Sequence, residues 1–348
     1  MTHFWVRAEE RPNEARVGLT PDGAAALIAK GFSVTVEECP ARAIPIDGYR
    51  AAGARVAPPG SWRDAPRDTI VFGLKELDED GTPLIHRHIM FGHAYKGQPA
   101  GQVLLRRFRD GAGTLYDLEY LTDETGRRVA AFGYWAGYVG AALSLLAWTA
   151  QKAGEIAGPV AHVTDAASLR ERIAEALVND RPRVLIIGAK GRVGTGAGDL
   201  CDAMGLPVAR WDMAETAHGG PFPEVLEHEV FLNCILATPG VPVFVPESAR
   251  TAPRALGVIG DIACDPTSDF SPVKVYDAVT DWNRPARRVH GAPPLDVMAI
   301  DNLPSLLPRE SSEDYAAQLL PTLAALDAMD GGVWARAEAE FERHVKAL

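Results

Sequence analysis

Arg183-Val-Leu-Ile-Ile187 runs directly into Gly188-Ala-Lys-Gly191-Arg-Val-Gly194-Thr-Gly196. An apolar β-rich run, a glycine-rich turn and a following helical pattern together describe the opening strand–turn–helix of a dinucleotide-binding fold. The turn departs from Gly-x-Gly-x-x-Gly by one inserted residue, and the physical requirement is unchanged. Glycines let the backbone approach a pyrophosphate, and the first amides of the helix face its negative charge. Gly188, Gly191, Arg192 and Val193 are therefore candidate cofactor contacts, with a plain glycine-rich loop as the alternative. The next expected strand, over 207–211, stops at Asp212. An acid there accepts from ribose hydroxyls and favours NAD over NADP. A solvent-facing aspartate is the other reading, and Arg192 and Arg210 keep a route to a 2′-phosphate open.

Because this fingerprint sits in the middle of the chain, the first half must supply its own fold. A length of 348 residues accommodates two domains, each with a core. Hydrophobic residues make up 47% and charged residues 23%, the profile of a globular protein. Lys and Arg number 35 against 46 Asp and Glu, a balance of −11 that argues against nucleic acid or anionic membranes as partners. No apolar run approaches the ~20 residues of a bilayer span. The opening Met1-Thr-His-Phe-Trp-Val-Arg7 lacks a signal-peptide plan, so a cytoplasmic protein is expected. Cys39, Cys201, Cys234 and Cys264 are scattered without a Cys-x-x-Cys pair, which points to no metal site and to core thiols.

Strand and helix patterns alternate along both halves, the signature of parallel α/β sheets. Thr20-Pro21 opening an Ala-rich stretch that ends near Gly31 reads as a capped helix. Helices are expected near 49–52, 102–109, 133–152, 166–178 and 193–204, the one over 133–152 as a bridge between domains. Strands are expected over 32–36, 54–57, 114–118, 230–235 and 256–261. The segment 311–348 reads as helical and is expected to return to the first domain. Two further apolar runs each end in a reactive side chain: Ile70-Val-Phe-Gly-Leu74 at Lys75 and Ile89-Met-Phe-Gly92 at His93. Working residues of such sheets gather at strand carboxyl ends. A solvated lysine and a satisfied core histidine are the plain alternatives. Lys96 and Gln98 add donors suited to a carboxylated ligand, and Arg16, Arg127 and Arg128 are either surface cations or carboxylate clamps.

Several motifs together resemble the saccharopine dehydrogenase (NAD+, L-lysine-forming) family, of the alanine dehydrogenase and transhydrogenase fold group. They are Arg11-Pro-x-Glu-Ala-Arg16-x-x-Leu-Thr-Pro21, Ala65-Pro-Arg-Asp68 with Gly73-Leu-Lys75-Glu76, and Phe91-Gly-His93-Ala-Tyr-Lys96. Gly113-Thr-Leu-Tyr-Asp-Leu-Glu119, Gly126-Arg-Arg-Val-Ala-Ala-Phe-Gly133 and Ile300-Asp-Asn-Leu-Pro-Ser-Leu-Leu-Pro-Arg309-Glu complete the set. The resemblance covers nearly the whole chain, with a short or diverged stretch around 151–180. It implies hydride transfer from the amine-bearing carbon of saccharopine to NAD+, then hydrolysis of the imine to lysine and 2-oxoglutarate. It implies that Lys75 takes the amine proton, that His93 is the acid/base for water addition, and that Glu76 and Glu119 tune them. Arg16, Gln98, Arg128, Phe132 and Asp265 fall where the family holds substrate. Arg127, Gly191, Arg192, Asp212, Thr216, Ile262, Ile300, Asp301, Asn302 and Leu303 fall on its NAD contacts, and Leu236 on a stretch lining the cofactor. A monomer is likewise implied.

The chain departs from the family in three places. Arg11 replaces a lysine, His218 stands where a more basic partner is expected, and Leu236-Ala-Thr-Pro-Gly240 replaces a more polar run. The resulting reading is α/β: two Rossmann-like parallel-sheet domains with an interdomain cleft that closes over small-molecule substrate and NAD. Residues 1–132 plus 310–348 would carry the catalysis, and 133–309 the cofactor. Its rivals are a sister opine-type dehydrogenase using another amino acid or oxo acid, and a silent NAD-binding regulator.

Overall fold

Two six-stranded sheets built mainly from parallel pairs organise the chain in a computed structural model, which describes residues 1–348. They lie in two units, Met1–Ala131 with Pro308–Leu348, and Phe132–Leu307.

The first unit opens with β1 (His3–Val6), α1 (Pro21–Ala29), β2 (Ser33–Glu37), α2 (Ile46–Ala51) and β3 (Arg55–Ala57). It continues with β4 (Ile70–Phe72), β5 (Arg87–Met90), α3 (Pro99–Gly111) and β6 (Thr114–Asp117). Every pair is parallel, in the order β3-β2-β1-β4-β5-β6. The capping of α1 follows its sequence. The Thr20 hydroxyl accepts from the Gly23 N–H at 3.2 Å, Pro21 takes the first helical position, and Gly31 turns away at φ +92°. The strands preceding Lys75 and His93 end sooner than their apolar runs, at Phe72 and Met90. Main-chain bonds nevertheless continue between the tips, from Gly73 N–H to Ile89 O at 3.1 Å and from Phe91 N–H to Leu74 O at 3.0 Å. Sheet order reverses at the β1–β4 pair, so the crevice of a doubly wound sheet opens beyond their carboxyl ends.

The second unit holds α4 (Gly133–Lys152), α5 (Ala166–Leu177), β7 (Val184–Ile187), α6 (Arg192–Ala203) and β8 (Val208–Trp211). Then come α7 (Met213–Thr216), α8 (Glu224–Glu227), β9 (Val230–Asn233), β10 (Val258–Asp261), β11 (Arg287–Gly291) and β12 (Pro294–Met298). The order is β11-β12-β10-β9-β7-β8, parallel except for β11 against β12. That edge hairpin escapes the pattern reading, because Arg287-Arg-Val-His-Gly291 and a proline-rich turn carry no alternating apolar signal. Nor is α4 a mere bridge. A Cβ at Gly137 would stand 1.8 Å from the Val193 carbonyl oxygen, and one at Gly196 would stand 1.9 Å from that of Tyr134. Helices α4 and α6 therefore meet main chain to main chain. Of the cysteines, Cys201 is buried, whereas Cys39, Cys234 and Cys264 are partly exposed, which corrects the expectation of four core thiols.

The chain closes with α9 (Pro308–Leu323) and α10 (Gly332–Lys346), both in the first unit. Trp334 meets Tyr116 of β6 edge-on at 5.6 Å, Phe341 meets Phe108 of α3 at 5.8 Å, and the Ser312 hydroxyl accepts from the Val17 N–H at 2.9 Å. No helix is long and apolar enough to cross a membrane.

Beneath α3 lies a histidine kept neutral by its surroundings. His88 is 1% exposed, faces Trp62 at 5.1 Å and Phe108 at 5.4 Å, and neither ring nitrogen has a hydrogen-bond partner. Burial, reinforced by the charges of Arg7, His86, Arg107 and Arg63, holds its pKa well below the usual value. In the unfolded chain it would titrate near 6.5. Its contribution is therefore intact above that pH and is lost as pH falls, because only the unfolded state takes the proton, at about 1.4 kcal/mol per pH unit. Urea melts of a His88→Phe variant should show a shallower loss of stability between pH 6 and 4; identical slopes would exclude this role.

Candidate active site

Lys75 is fixed by its main chain before its side chain is considered. Arg7, 1% exposed at the end of β1, donates to the Ala8 carbonyl at 3.0 Å and to the Lys75 carbonyl. It also pairs with Glu9 at 3.5 Å. The Glu9 carboxylate in turn accepts from the Leu74 N–H at 2.6 Å and the Lys75 N–H at 3.0 Å. Gly73 is required because a Cβ there would lie 2.4 Å from Arg7 Nε. Burial lowers the pKa of Lys75, with the Arg16 guanidinium adding to the effect and Glu14 and Glu76 opposing it. This is the environment of an amine that gives up its proton readily.

Arg16 is 4% exposed and does not stand open as a simple anchor. Its guanidinium forks onto Glu14 at 2.8 and 2.6 Å. Burial alone would raise the Glu14 pKa; hydrogen bonding and charge from Arg16, with Lys75 behind it, reverse the sign and lower it.

His93 follows β5 at φ +46°, with one carboxylate on each side. Its Nε2 is 3.5 Å from Glu76 Oε1, and its Nδ1 is 3.6 Å from Glu119 Oε2. Both expected tuning carboxylates thus face the imidazole, while Glu76 also meets Arg11 at 3.6 Å. Glu119 collects cations: Lys96 at 3.1 Å and Arg128 at 2.7 Å. His93 first, then Lys96 and Arg128, hold its pKa down to about 2 despite burial. Gln98 precedes α3 and, with Arg11, Glu76, His93 and Arg107, lines a cavity of about 290 Å³.

In the second unit the glycine-rich turn is built as its spacing requires. Gly188 sits at φ +86°, and a Cβ at Gly194 would lie 2.1 Å from the Gly188 carbonyl oxygen. Gly191 caps the twelve-residue α6 without a side chain, so the Arg192 and Val193 amides begin a helix whose entry nothing bulky covers. Asp212 accepts from the Lys190 N–H and the Met213 N–H, each at 2.9 Å, and these two bonds hold its carboxyl ionised below the ordinary range. A half-exposed carboxylate at the end of β8, tied to the turn, suits a ribose. The Thr216 hydroxyl donates to the Asp212 carbonyl at 3.0 Å. The amides of the turn and helix entry can donate to a diphosphate and the Asp212 carboxylate can accept from ribose hydroxyls, so these residues fit NAD.

Other sequence expectations are redistributed. Arg210 donates to Asp202 at 2.7 Å on the exposed surface. Ile300 and Leu303, each 1% exposed, and Ile262, 7% exposed and packed over Gly140, are core side chains; contacts to a ligand from Ile300 and Leu303 would pass through main chain. Asp301 and Asn302 lie on the surface between them, and Leu236 is 66% exposed. Arg127, expected at the cofactor, belongs to the first unit, where its main chain bonds with Asp123. Phe132 and Asp265, expected at the substrate, belong to the second. Sequence reasoning passed over Arg7, Glu9 and Asp117. Arg7 and Glu9 act on backbone groups far along the chain, and no local pattern reveals such partners.

Residues 5–139 match the family model of the alanine dehydrogenase/PNT N-terminal domain. Saccharopine dehydrogenase [NAD(+), L-lysine-forming] of Candida glabrata is 45% identical over 97% of this chain and 96% of its own. The protein of the same name from Schizosaccharomyces pombe is 43% identical over 99% of each. Among solved structures, an L-alanine dehydrogenase superposes with a TM-score of 0.70 at 18% identity, covering 99% of this chain and 94% of that one. A Sinorhizobium meliloti transhydrogenase gives 0.63 at 16% identity, covering 96% and 97%. These two carry the fold alone; the sequence relatives carry more. At 42–45% identity over nearly the full length, the chain belongs to the saccharopine dehydrogenase [NAD(+), L-lysine-forming] family.

Proposed function

We propose that the chain catalyses the reversible oxidation of L-saccharopine, with NAD+ and water, to L-lysine, 2-oxoglutarate and NADH. The observation that carries this reading is a lysine with a lowered pKa at the tip of β4, with an imidazole flanked by two carboxylates beyond β5. In this reading the first unit performs the proton transfers and the second holds the dinucleotide, through the 188–193 turn and Asp212. NAD+, when bound, supplies the acceptor for the hydride that leaves the amine-bearing carbon.

Lys75 takes the proton of the secondary amine, which frees the nitrogen lone pair to form the C=N bond. Burial and the neighbouring Arg16 favour its neutral form for that task. His93 then takes a proton from the water that adds to the imine carbon. It returns that proton to nitrogen and then takes the hydroxyl proton of the carbinolamine, so that the C=O bond of 2-oxoglutarate forms as the C–N bond breaks and lysine departs. Glu76 and Glu119 stabilise the transient imidazolium from both sides. Lys96 and Arg128, already gathered on Glu119, offer cationic edges to substrate carboxylates, and Gln98, on the same cavity as His93, adds an amide donor.

Following NADH oxidation with lysine plus 2-oxoglutarate, against a panel of other amine and oxo-acid pairs, tests the substrate assignment. A faster pair would move the chain to a sister opine-type activity. The variant Lys75→Met should lower kcat by about 10²- to 10⁴-fold while NADH still binds; full turnover would remove the base. Asp212→Ala should weaken NAD by about tenfold and NADP less, and equal weakening of both would end the ribose assignment.

A further inference from the structure

Asp117, the last residue of β6, is fully buried, yet both of its carboxylate oxygens are engaged. Oδ2 accepts from the Gly92 N–H at 3.2 Å, and Oδ1 accepts from the Glu119 N–H at 2.9 Å. Gly92 precedes His93 and Glu119 is its carboxylate neighbour, so one buried group fastens the main chain behind both members of the pair. His93 needs such support. Its φ of +46° lies in the left-handed region, which a residue with a Cβ occupies at a cost and keeps only where surrounding structure holds it. The site also has no slack, since a Cβ at Gly92 would sit 2.7 Å from Leu115 Cδ2 and 3.3 Å from Asp117 Oδ2.

Resting on the reading of His93 as the acid/base, we propose that Asp117 is a positioning residue whose carboxylate, by gripping the Gly92 and Glu119 amides, holds His93 and Glu119 in register. An asparagine would occupy the same space but accept at only one of the two atoms. The carboxylate is also expensive to keep. Burial pushes its pKa up to about 6, although the Glu119 and Gly92 amides and His93 favour the anion. Glu119, Tyr95, Tyr120 and Tyr315 also face it. A group retained ionised at such cost is expected to serve the site it touches.

Asp117→Asn should lower kcat by about ten- to a hundredfold, with KM for lysine and 2-oxoglutarate and NADH affinity within about twofold. Adding it to His93→Gln should cost little more, because the two act through one group. A change in KM alone, or wild-type kcat, would overturn the proposal. In the unmodified protein, the amide resonances of Gly92 and Glu119 should move together with a midpoint near pH 6. Amides that stay still between pH 5 and 8 would overturn it even if the variant fails to fold. If His93→Gln retains full turnover, the acid/base reading itself falls; if His93→Gln is inactive and Asp117→Asn is normal, only this proposal does.

Discussion

A buried guanidinium sets the path of the chain around Lys75. Arg7, buried inside the first unit, directs its terminal nitrogens to the carbonyls of Ala8 and Lys75 and pairs with Glu9, while its Nε–H has no hydrogen-bond partner. Glu9 then satisfies its own charge on the two amides that precede and begin the Lys75 segment. Glu37, fully buried at the end of β2, repeats the pattern by accepting from the Ala8, Gly60 and Trp62 amides and the Trp5 indole. Buried ionic groups of this kind add little net stability. Their effect here is geometric, since each ties together backbone groups from segments distant along the chain.

The electrostatics around the strand tips separate groups that would otherwise titrate alike. Lys75 is pushed toward neutrality by burial and by a neighbouring cation, Glu119 is held as an anion by its contacts with His93, Lys96 and Arg128, and Asp117 is lifted by burial. Pairs of groups whose environments drive them apart are how one site assigns acid and base roles near neutral pH. The same division explains why lysine, histidine and three carboxylates can crowd one sheet end without cancelling one another.

The glycine fingerprint was legible because its constraint is steric: the 188–196 turn admits no side chain at Gly188 or Gly194, and the sequence records that directly. Helix α1 was legible for a similar reason, since Thr20, Pro21 and Gly31 each satisfy a local rule. Lys75 and His93 stood out because apolar runs stop at them. What stayed hidden depends on partners distant in sequence. Nothing near Asp117 announces that its carboxylate serves Gly92, and nothing near Arg210 announces its turn toward Asp202. Motif matching also blurred main chain with side chain, because Ile300 and Leu303 sit in a family ligand motif while their side chains fill the core. The β11–β12 hairpin was missed because an edge pair with a polar face leaves no periodic trace.

The contact between Gly137 and Gly196 has a mechanical consequence. Where side chains separate two helices, rotamer changes can absorb a small displacement. Here carbonyl oxygens occupy the space in which a methyl group would sit, so that cushion is absent. Helix α6 begins at the glycine-rich turn, so α4 is coupled to that turn through main-chain contact. A displacement of the glycine loop therefore reaches the twenty-residue α4 without side chains between to absorb it.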